Sequence, residues 1–216
     1  MKKALILIIA GVCLFQINGL SQKSLVGITG GVSTSNIYGH IGGLDKRGDA
    51  RTGFTLGMVV DAPIGKSHWS FQPGFDYVQK GMYTSKTSTS KTAIALRYAE
   101  LDANFIHYTK GVNKFFFGLG PYLGLPLPSK SVVISGSSRT ETSLSFGKAA
   151  ANNYRGVDYG ANGILGVRFK NNITFSVNYA FGIRNLIPQP VGKDDVLRNG
   201  YLGFRLGYLF KNQPKK

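Results

Sequence analysis

Large apolar residues stand at every second position in several short segments of the chain. In residues 173–183 all six odd positions are apolar, from Ile173 through Phe175 to Ile183, and the even positions are small or polar. A helix turns by about 200° every two residues and would scatter these side chains around its axis, whereas a strand places them on one face. This segment is therefore predicted to be a β-strand.

Seven other segments show the same period of two, so the pattern predicts eight strands. Their alternating apolar positions start at Val26, Phe54, Trp69, Leu101, Phe115, Tyr159 and Leu202. Short alternating segments of this kind, separated by turn residues, favour an all-β domain.

The connections between these segments alternate between short and long. Three compact turns occupy residues 65–67, 110–113 and 170–172. Four long connections, rich in Ser, Thr, Gly, Lys and Arg, occupy residues 39–51, 81–92, 126–153 and 185–199. This alternation is typical of an eight-stranded antiparallel up-and-down transmembrane β-barrel, with short periplasmic turns and long extracellular loops.

The first residues predict export. Two lysines precede an apolar run at residues 4–15, which is shorter than the roughly 18 residues of a membrane-spanning helix. Small residues that suit a cleavage site follow this run. We therefore expect residues 1–21 to be removed as a signal peptide and residues 22–216 to form a single domain.

A lipoprotein signal acylated at Cys13 is the alternative to simple cleavage. Val12 argues against it, because such signals have a small residue before the cysteine. Cys13 is the single cysteine of the chain. After cleavage the mature protein would have no disulfide and no thiol chemistry.

The face opposite the apolar one carries charged residues among many glycines. The predicted charge network of the lumen consists of Asp61, Asp76, Glu100, Asp102, Asp158, Arg168, Arg184 and Arg205. Eight strands enclose an interior just wide enough for side chains to fill, so opposite charges could meet across a filled lumen. A soluble lipocalin-like barrel, with its apolar face inward around a ligand, is the alternative.

Aromatic residues near strand ends or on the apolar face are consistent with the two membrane–water interfaces. They are Trp69, Tyr77, Tyr108, Tyr154, Tyr159, Tyr179 and Tyr208. Ordinary enrichment of aromatic residues in strands is the alternative for each of them. Arg97 has the parity of the apolar face, and we expect it near the extracellular rim because a charge is costly at the bilayer centre.

Positive charge is in large excess, with 26 Lys and Arg against 10 Asp and Glu and a net charge of +16. The basic residues of the predicted extracellular loops are Lys46, Arg47, Arg51, Lys86, Lys91, Arg97, Lys130, Arg139 and Lys148, and Lys80 flanks the second loop. Such a surface attracts phosphates. Because an exported barrel meets lipopolysaccharide and not DNA, the expected partners are outer-membrane lipid and lipopolysaccharide, and no nucleic acid. Simple solubility is the alternative explanation.

Few residues are suited to catalysis. His40 falls in a predicted loop, whereas His68 and His107 fall at the opposite rim, so the three histidines do not form a metal site. We therefore predict no enzyme activity, no catalytic or metal-binding residue and no cofactor. The alternative is an outer-membrane hydrolase or acyltransferase that uses His40 with Asp45 or Asp49.

A series of short motifs extends over most of residues 22–216. They are Gln72-Pro73 with Tyr77, Gln79-Lys80-Gly81, Tyr98-Ala99-Glu100-Leu101, Gly118 to Gly124, Asp158-Tyr159-Gly160, Tyr179 to Leu186 and Gly207-Tyr208-Leu209-Phe210. In this order they resemble the PorT-like outer-membrane β-barrel proteins. One departure is that residues 211–216 follow Phe210, where such barrels commonly end on the aromatic residue.

The resemblance implies an eight-stranded barrel in the outer membrane of a Gram-negative bacterium, and one namesake of the family acts in protein secretion. We therefore expect a structural or accessory role, with protein secretion and envelope interaction as the candidate processes. We expect the protein to be a monomer.

Overall fold

A computed structural model describes residues 24–189, 192 and 194–210, and the predicted signal peptide lies outside this part of the chain. Ten strands are present in the described residues. They are β1 (Leu25–Ile41), β2 (Leu44–Arg47), β3 (Asp49–Pro63), β4 (Trp69–Lys86), β5 (Ser90–Tyr108), β6 (Lys114–Ser135), β7 (Ser138–Leu144), β8 (Asp158–Arg168), β9 (Ile173–Gly182) and β10 (Val196–Leu209). No helix in these residues is long and apolar enough to cross a membrane.

Eight of the strands form a closed antiparallel ring. Its order is β1, β3, β4, β5, β6, β8, β9 and β10, and β10 pairs with β1 from Gly27↔Leu209 to His40↔Val196. The short strands β2 and β7 pair with the outer ends of β1 and β6. Closure leaves no free edge along the wall. The prediction of an eight-stranded up-and-down barrel is confirmed.

The two faces of the wall differ in polarity, and the polar face is the buried one. On β10, Phe204 and Leu206 are 42% and 62% exposed, whereas Arg205 between them is 5% exposed. Further exposed apolar residues, among them Leu56 and Leu119, continue this outer band around the barrel. An apolar exterior around a polar interior is the arrangement of a membrane barrel and the reverse of a lipocalin.

Three of the four long connections predicted for the extracellular end are built around β-hairpins. β4 and β5 contain 18 and 19 residues and pair as far as Lys86↔Lys91, so residues 81–92 form a β-hairpin with a tight turn. Residues 39–51 and 126–153 likewise contain β2 and β7. Polar residues predominate in these extensions and their few apolar residues do not alternate regularly, so no period of two marks them as strands in the sequence.

The length of β4 and β5 carries them well beyond the membrane. At about 3.3 Å per residue each strand is roughly 60 Å long, whereas an outer-membrane barrel has an apolar band only about 25 Å tall. The opposite ends of the strands are joined by short connections. At one of them, between β8 and β9, Asn172 adopts a left-handed φ of 65°, a conformation that asparagine tolerates.

Candidate functional site

The centre of the lumen holds a buried cluster of one lysine and two carboxylates. Lys80 Nζ lies 2.5 Å from Glu100 Oε1 and 3.0 Å from Asp158 Oδ2, and all three residues are fully buried. The three residues come from β4, β5 and β8, so the ammonium group links opposite walls of the barrel. Breaking a buried pair of this kind is strongly destabilising, because it leaves a charge without a partner.

Three tyrosine rings surround the same ammonium group. Its distances to the ring centroids of Tyr98, Tyr122 and Tyr201 are 5.3, 4.4 and 5.1 Å. Tyr122 Oη and Asn199 Nδ2 also donate hydrogen bonds to Asp158 Oδ2, at 3.3 and 3.1 Å. We refer to Lys80, Glu100, Asp158 and the three tyrosines as the central cluster, and it fills the barrel at this level.

A second ion pair lies on the periplasmic side of the central cluster. Arg205 Nη1 is 2.6 Å from Asp76 Oδ2, and Arg205 Nη2 donates to Tyr201 Oη at 3.0 Å. Gly57 lies directly opposite Asp76, and no larger residue fits there because an added Cβ would overlap Asp76 Oδ1. Asp102 is buried close by and lines a small cavity of about 30 Å³, enough for a water molecule.

A third ion pair closes the periplasmic end. Arg168 Nη1 and Tyr108 Oη each lie 3.2 Å from Asp61 Oδ2. Arg168 Nη2 also donates to Asn172 Oδ1 at 2.8 Å, so the turn between β8 and β9 orients the guanidinium group. The interface position predicted for Tyr108 is wrong, because its even position on β5 points it into the lumen.

The structure places seven of the eight residues of the predicted network in the lumen, and Arg184 outside it. β9 ends at Gly182, so the alternation that put Arg184 inside does not continue to it. Its guanidinium carbon lies 5.5 Å from the ring centroid of Tyr159, a residue exposed on the outer face.

The predicted position of Lys80 is also wrong. The sequence places it beside the second extracellular loop, whereas it lies at the core of the lumen. The available signal was parity, because Lys80 is at an even position of β4, as are the buried Asp76 and Val78. The regular apolar alternation of the predicted strand ends at Tyr77, before it reaches Lys80.

An apolar cluster closes the extracellular end of the lumen above the central cluster. Ile37, Leu96, Tyr98 and Leu186 are buried together, and residues of the connection between β7 and β8, including Tyr154, pack against them. Burial raises the pKa of the Tyr154 phenol. The lumen is therefore filled by ion pairs at its centre and by apolar side chains at its outer end.

The nine basic residues predicted for the loops lie on the extracellular side of the barrel, in two kinds of environment. Lys130 and Arg139 pair with Glu141, at 2.5 and 2.6 Å, and these two cations lower the pKa of the Glu141 carboxyl to about 2. Lys86 and Lys91, in contrast, stand directly opposite each other at the tip of the β4–β5 hairpin.

The remaining five are spread over the extracellular ends of the strands and the connections. Lys46, Arg47 and Lys148 are exposed. Arg51 Nη1 donates to the Lys80 carbonyl oxygen at 3.3 Å, and Arg97 Nη1 to that of Pro128 at 3.3 Å.

The histidines lie at opposite ends of the barrel. His40 Nδ1 is 2.5 Å from Asp45 Oδ1 across β1 and β2, and both side chains are largely exposed. The rings of His68 and His107 are 6.1 Å apart at the periplasmic end, and Trp69 lies 4.9 Å from His107. Among the described residues, no group of three or more acidic, histidine or cysteine side chains is arranged to hold a metal ion.

Comparison with known families agrees with this architecture. A family model described as "Outer membrane protein beta-barrel domain" matches residues 20–188. The chain belongs to this barrel-domain family. The protein is accordingly a β-barrel of the outer membrane of a Gram-negative bacterium. A comparison with curated proteins finds no match.

Solved structures similar to this barrel-domain protein include three from other bacteria. Ail, the attachment invasion locus protein of Yersinia pestis, is 15% identical, with 87% of this chain and 99% of that chain covered and a TM-score of 0.44. Neisserial surface protein A is 13% identical, with coverage of 86% and 97% and a TM-score of 0.46. OprG from Pseudomonas aeruginosa is also 13% identical, with coverage of 88% and 97% and a TM-score of 0.46.

Proposed function

We propose that this protein is a structural or accessory barrel that does not act as a channel and that presents its extracellular β-hairpins to lipopolysaccharide and to other envelope proteins. The observation that carries the proposal is the contrast between a filled lumen and a tall extracellular sheet. The central cluster occupies the barrel axis, whereas β4, β5, β6 and β7 continue as one paired sheet beyond the membrane.

The tip of the β4–β5 hairpin is the part of that sheet best suited to phosphates. Lys86 and Lys91 are directly opposite each other, and like charges at such positions are destabilising unless an anion lies between them. Lys86 Nζ also lies 5.7 Å from the ring centroid of Tyr83. Lipopolysaccharide is the phosphate-bearing molecule that surrounds the extracellular part of an outer-membrane barrel.

Retention of the detergent-solubilised protein on immobilised lipopolysaccharide tests this proposal. We expect Lys86→Gln/Lys91→Gln to reduce retention several-fold at low salt, since exposed charges are screened at high salt. The matched control is Lys66→Gln/Lys114→Gln, which removes the same charge at the periplasmic end. Unchanged retention of the hairpin variant would contradict the proposed lipopolysaccharide contact.

We also propose that the protein is one of the PorT-like proteins and has a role in secretion. The support is that several motifs of that resemblance come together in the lumen. Lys80, Glu100, Tyr122 and Asp158 come from four separate motifs of that resemblance, and all four belong to the central cluster. The test is a strain that lacks this protein. Loss of secreted proteins, restored by the full chain, would support a secretion role, and normal secretion would contradict it.

An enzymatic role is the second candidate, favoured by the contact between His40 and Asp45. A carboxylate that orients an imidazole is one part of a catalytic triad. Hydrolysis or acyl transfer on lipid A or on a peptide, lost in His40→Ala and retained in His68→Ala, would support this role. Equal activity of the two variants would exclude His40 as the base.

A further inference from the structure

A groove opens on the outer wall of the barrel, where β9, β10 and β1 lie side by side. It has a volume of about 420 Å³, and the residues that line it include Tyr38, Arg47, Phe181 and Leu202, with Gly200 between them. The strand positions of these residues are those of the lipid-facing side. The groove therefore opens on the outer wall, away from the β4–β5 hairpin, and the lumen-facing Ser35 and Tyr201 also contribute to its lining.

The groove lies at the upper limit of the apolar band. On β1 the strongly exposed apolar residues end at Val32, and Thr34 and Asn36 follow on the same face. On β10 the corresponding change is from Leu202 to Arg198. In an outer-membrane barrel this change of polarity marks the height at which acyl chains meet headgroups on the extracellular side.

Two arginines flank the tyrosine at the top of the groove, Arg47 in its lining and Arg198 next to it on β10. Tyr38 pairs with Arg198 on β10 and with Arg47 on β2, and the three positions share the outward face. The Tyr38 hydroxyl and Arg198 Nε are buried without a hydrogen-bond partner in the described structure. None of the described residues that line the groove is acidic.

The lower part of the groove is apolar and is shaped by a glycine. The rings of Tyr38 and Phe181 are 6.3 Å apart between centroids. A Cβ at Gly200 would lie 3.1 Å from Tyr38 Cε1, so the tyrosine ring lies flat against the glycine backbone. The site thus combines an apolar floor with two cationic positions at its upper edge.

We propose that this groove is a specific site for one phosphorylated acyl lipid of the outer leaflet, of the lipid A type. The guanidinium groups of Arg47 and Arg198 would bind the phosphate, since the planar fork of arginine matches phosphate oxygens in pairs. The Tyr38 hydroxyl would donate to the same headgroup, and one acyl chain would lie along Phe181 and Leu202. Charge complementarity and the height of the groove on the wall select this occupant.

Native mass spectrometry of the refolded full chain in detergent micelles tests the site. The probes are bisphosphorylated lipid A and lipid A from which both phosphates have been removed. We expect the unaltered chain to retain one molecule of bisphosphorylated lipid A. Retention of the dephosphorylated lipid should be lower by about tenfold or more, because the charged hydrogen bonds to the phosphates are lost. Inorganic phosphate at the same concentration should not displace the lipid.

Two charge-matched variants locate the binding on the wall. Arg47→Gln/Arg198→Gln should reduce retention of bisphosphorylated lipid A by about tenfold or more. Lys66→Gln/Lys114→Gln, which removes the same charge from the periplasmic end, should retain it as the unaltered chain does. Compact migration on an unheated detergent gel shows that each variant is folded.

Three results would overturn this inference. The first is equal retention of the two lipids by the unaltered chain. The second is retention of bisphosphorylated lipid A by the folded arginine variant at the level of the unaltered chain. The third is a dimer of the chain in place of the lipid-bound monomer. The comparison of the two lipids requires no variant, so it tests recognition of the phosphates even if the arginine variant does not fold. The inference stands independently of the hairpin proposal, because each has its own pair of altered residues.

Discussion

Arg205 and Asp76 meet inside the barrel although their strands are not neighbours. The arginine is on β10 and the aspartate on β4, and Nη1 lies 2.6 Å from Oδ2. Lys80 and Asp158 make a similar connection between β4 and β8. The backbone ladder joins each strand only to the next one, so these ion pairs add links between opposite walls.

We expect Arg205→Met to lower the free energy of unfolding by about 3–5 kcal/mol, because Asp76 would be buried without its partner. The double variant Arg205→Met/Asp76→Leu should recover part of this loss, since both charges are then removed. Urea unfolding in detergent micelles measures the difference. The exposed Lys86→Met is the control, with an expected change of about 0.5 kcal/mol or less. Equal stability of Arg205→Met and the unaltered chain would show that the ion pair contributes little.

Gly57→Ala should destabilise the barrel by about 1–3 kcal/mol, the usual cost of adding a methyl group to a filled interior. The new Cβ would overlap Asp76 Oδ1 and displace it from Arg205. Gly30→Ala is the matched control on the outer face, where the nearest atom to an added Cβ is Leu56 Cδ1 at 3.7 Å. Unfolding midpoints of the two variants give the comparison, and the same midpoint for both would argue against a tightly filled lumen.

The extracellular β6–β7 hairpin should lose protection as the pH falls. Lys130 and Arg139 lower the pKa of Glu141 to about 2, from a usual value of 4.5. A carboxyl group with a lowered pKa stabilises the fold above its unfolded pKa, and this contribution is lost as the pH falls through the folded one. Amide protection factors in β7, which compare each measured exchange rate with the intrinsic rate at the same pH, should therefore fall between pH 4.5 and 2, and Glu141→Gln should remove this fall. Constant protection factors in the unaltered chain would contradict the ion pairs.

Planar bilayers containing the purified protein should show no steady conductance. Two barriers lie in series along the axis, namely the central cluster and the apolar cluster around Leu96 and Leu186. We expect Lys80→Ala to remain closed for this reason. Discrete conductance steps with the unaltered chain or with Lys80→Ala, at a frequency that rises with the amount of protein added, would contradict the filled lumen.

The face of the barrel wall to which a side chain points could be predicted from the sequence, as far along each strand as the apolar alternation extends. Phe204 and Arg205 were assigned to opposite faces correctly, because a strand turns successive side chains to opposite sides. The same rule failed at Arg184, where β9 has already ended. The same rule would place Lys80 inside, but the regular apolar alternation that marks β4 in the sequence ends at Tyr77.

The wall groove could not be predicted from the chain. Tyr38 and Arg198 are 160 positions apart by residue number, and the register of β1 against β10 makes them direct neighbours. That register depends on how the sheet closes, which is a property of the whole ring. Neither residue has a neighbour in sequence that would indicate a lipid site.

By itself the sequence determined that the chain forms strands and which side of each strand is apolar, because both follow from a period of two and the polarity of single residues. The tertiary structure alone decided which charges meet across the lumen and which cations gather on the outer wall. Those contacts join strands from distant parts of the chain, and their geometry depends on the stagger with which eight strands close into a barrel.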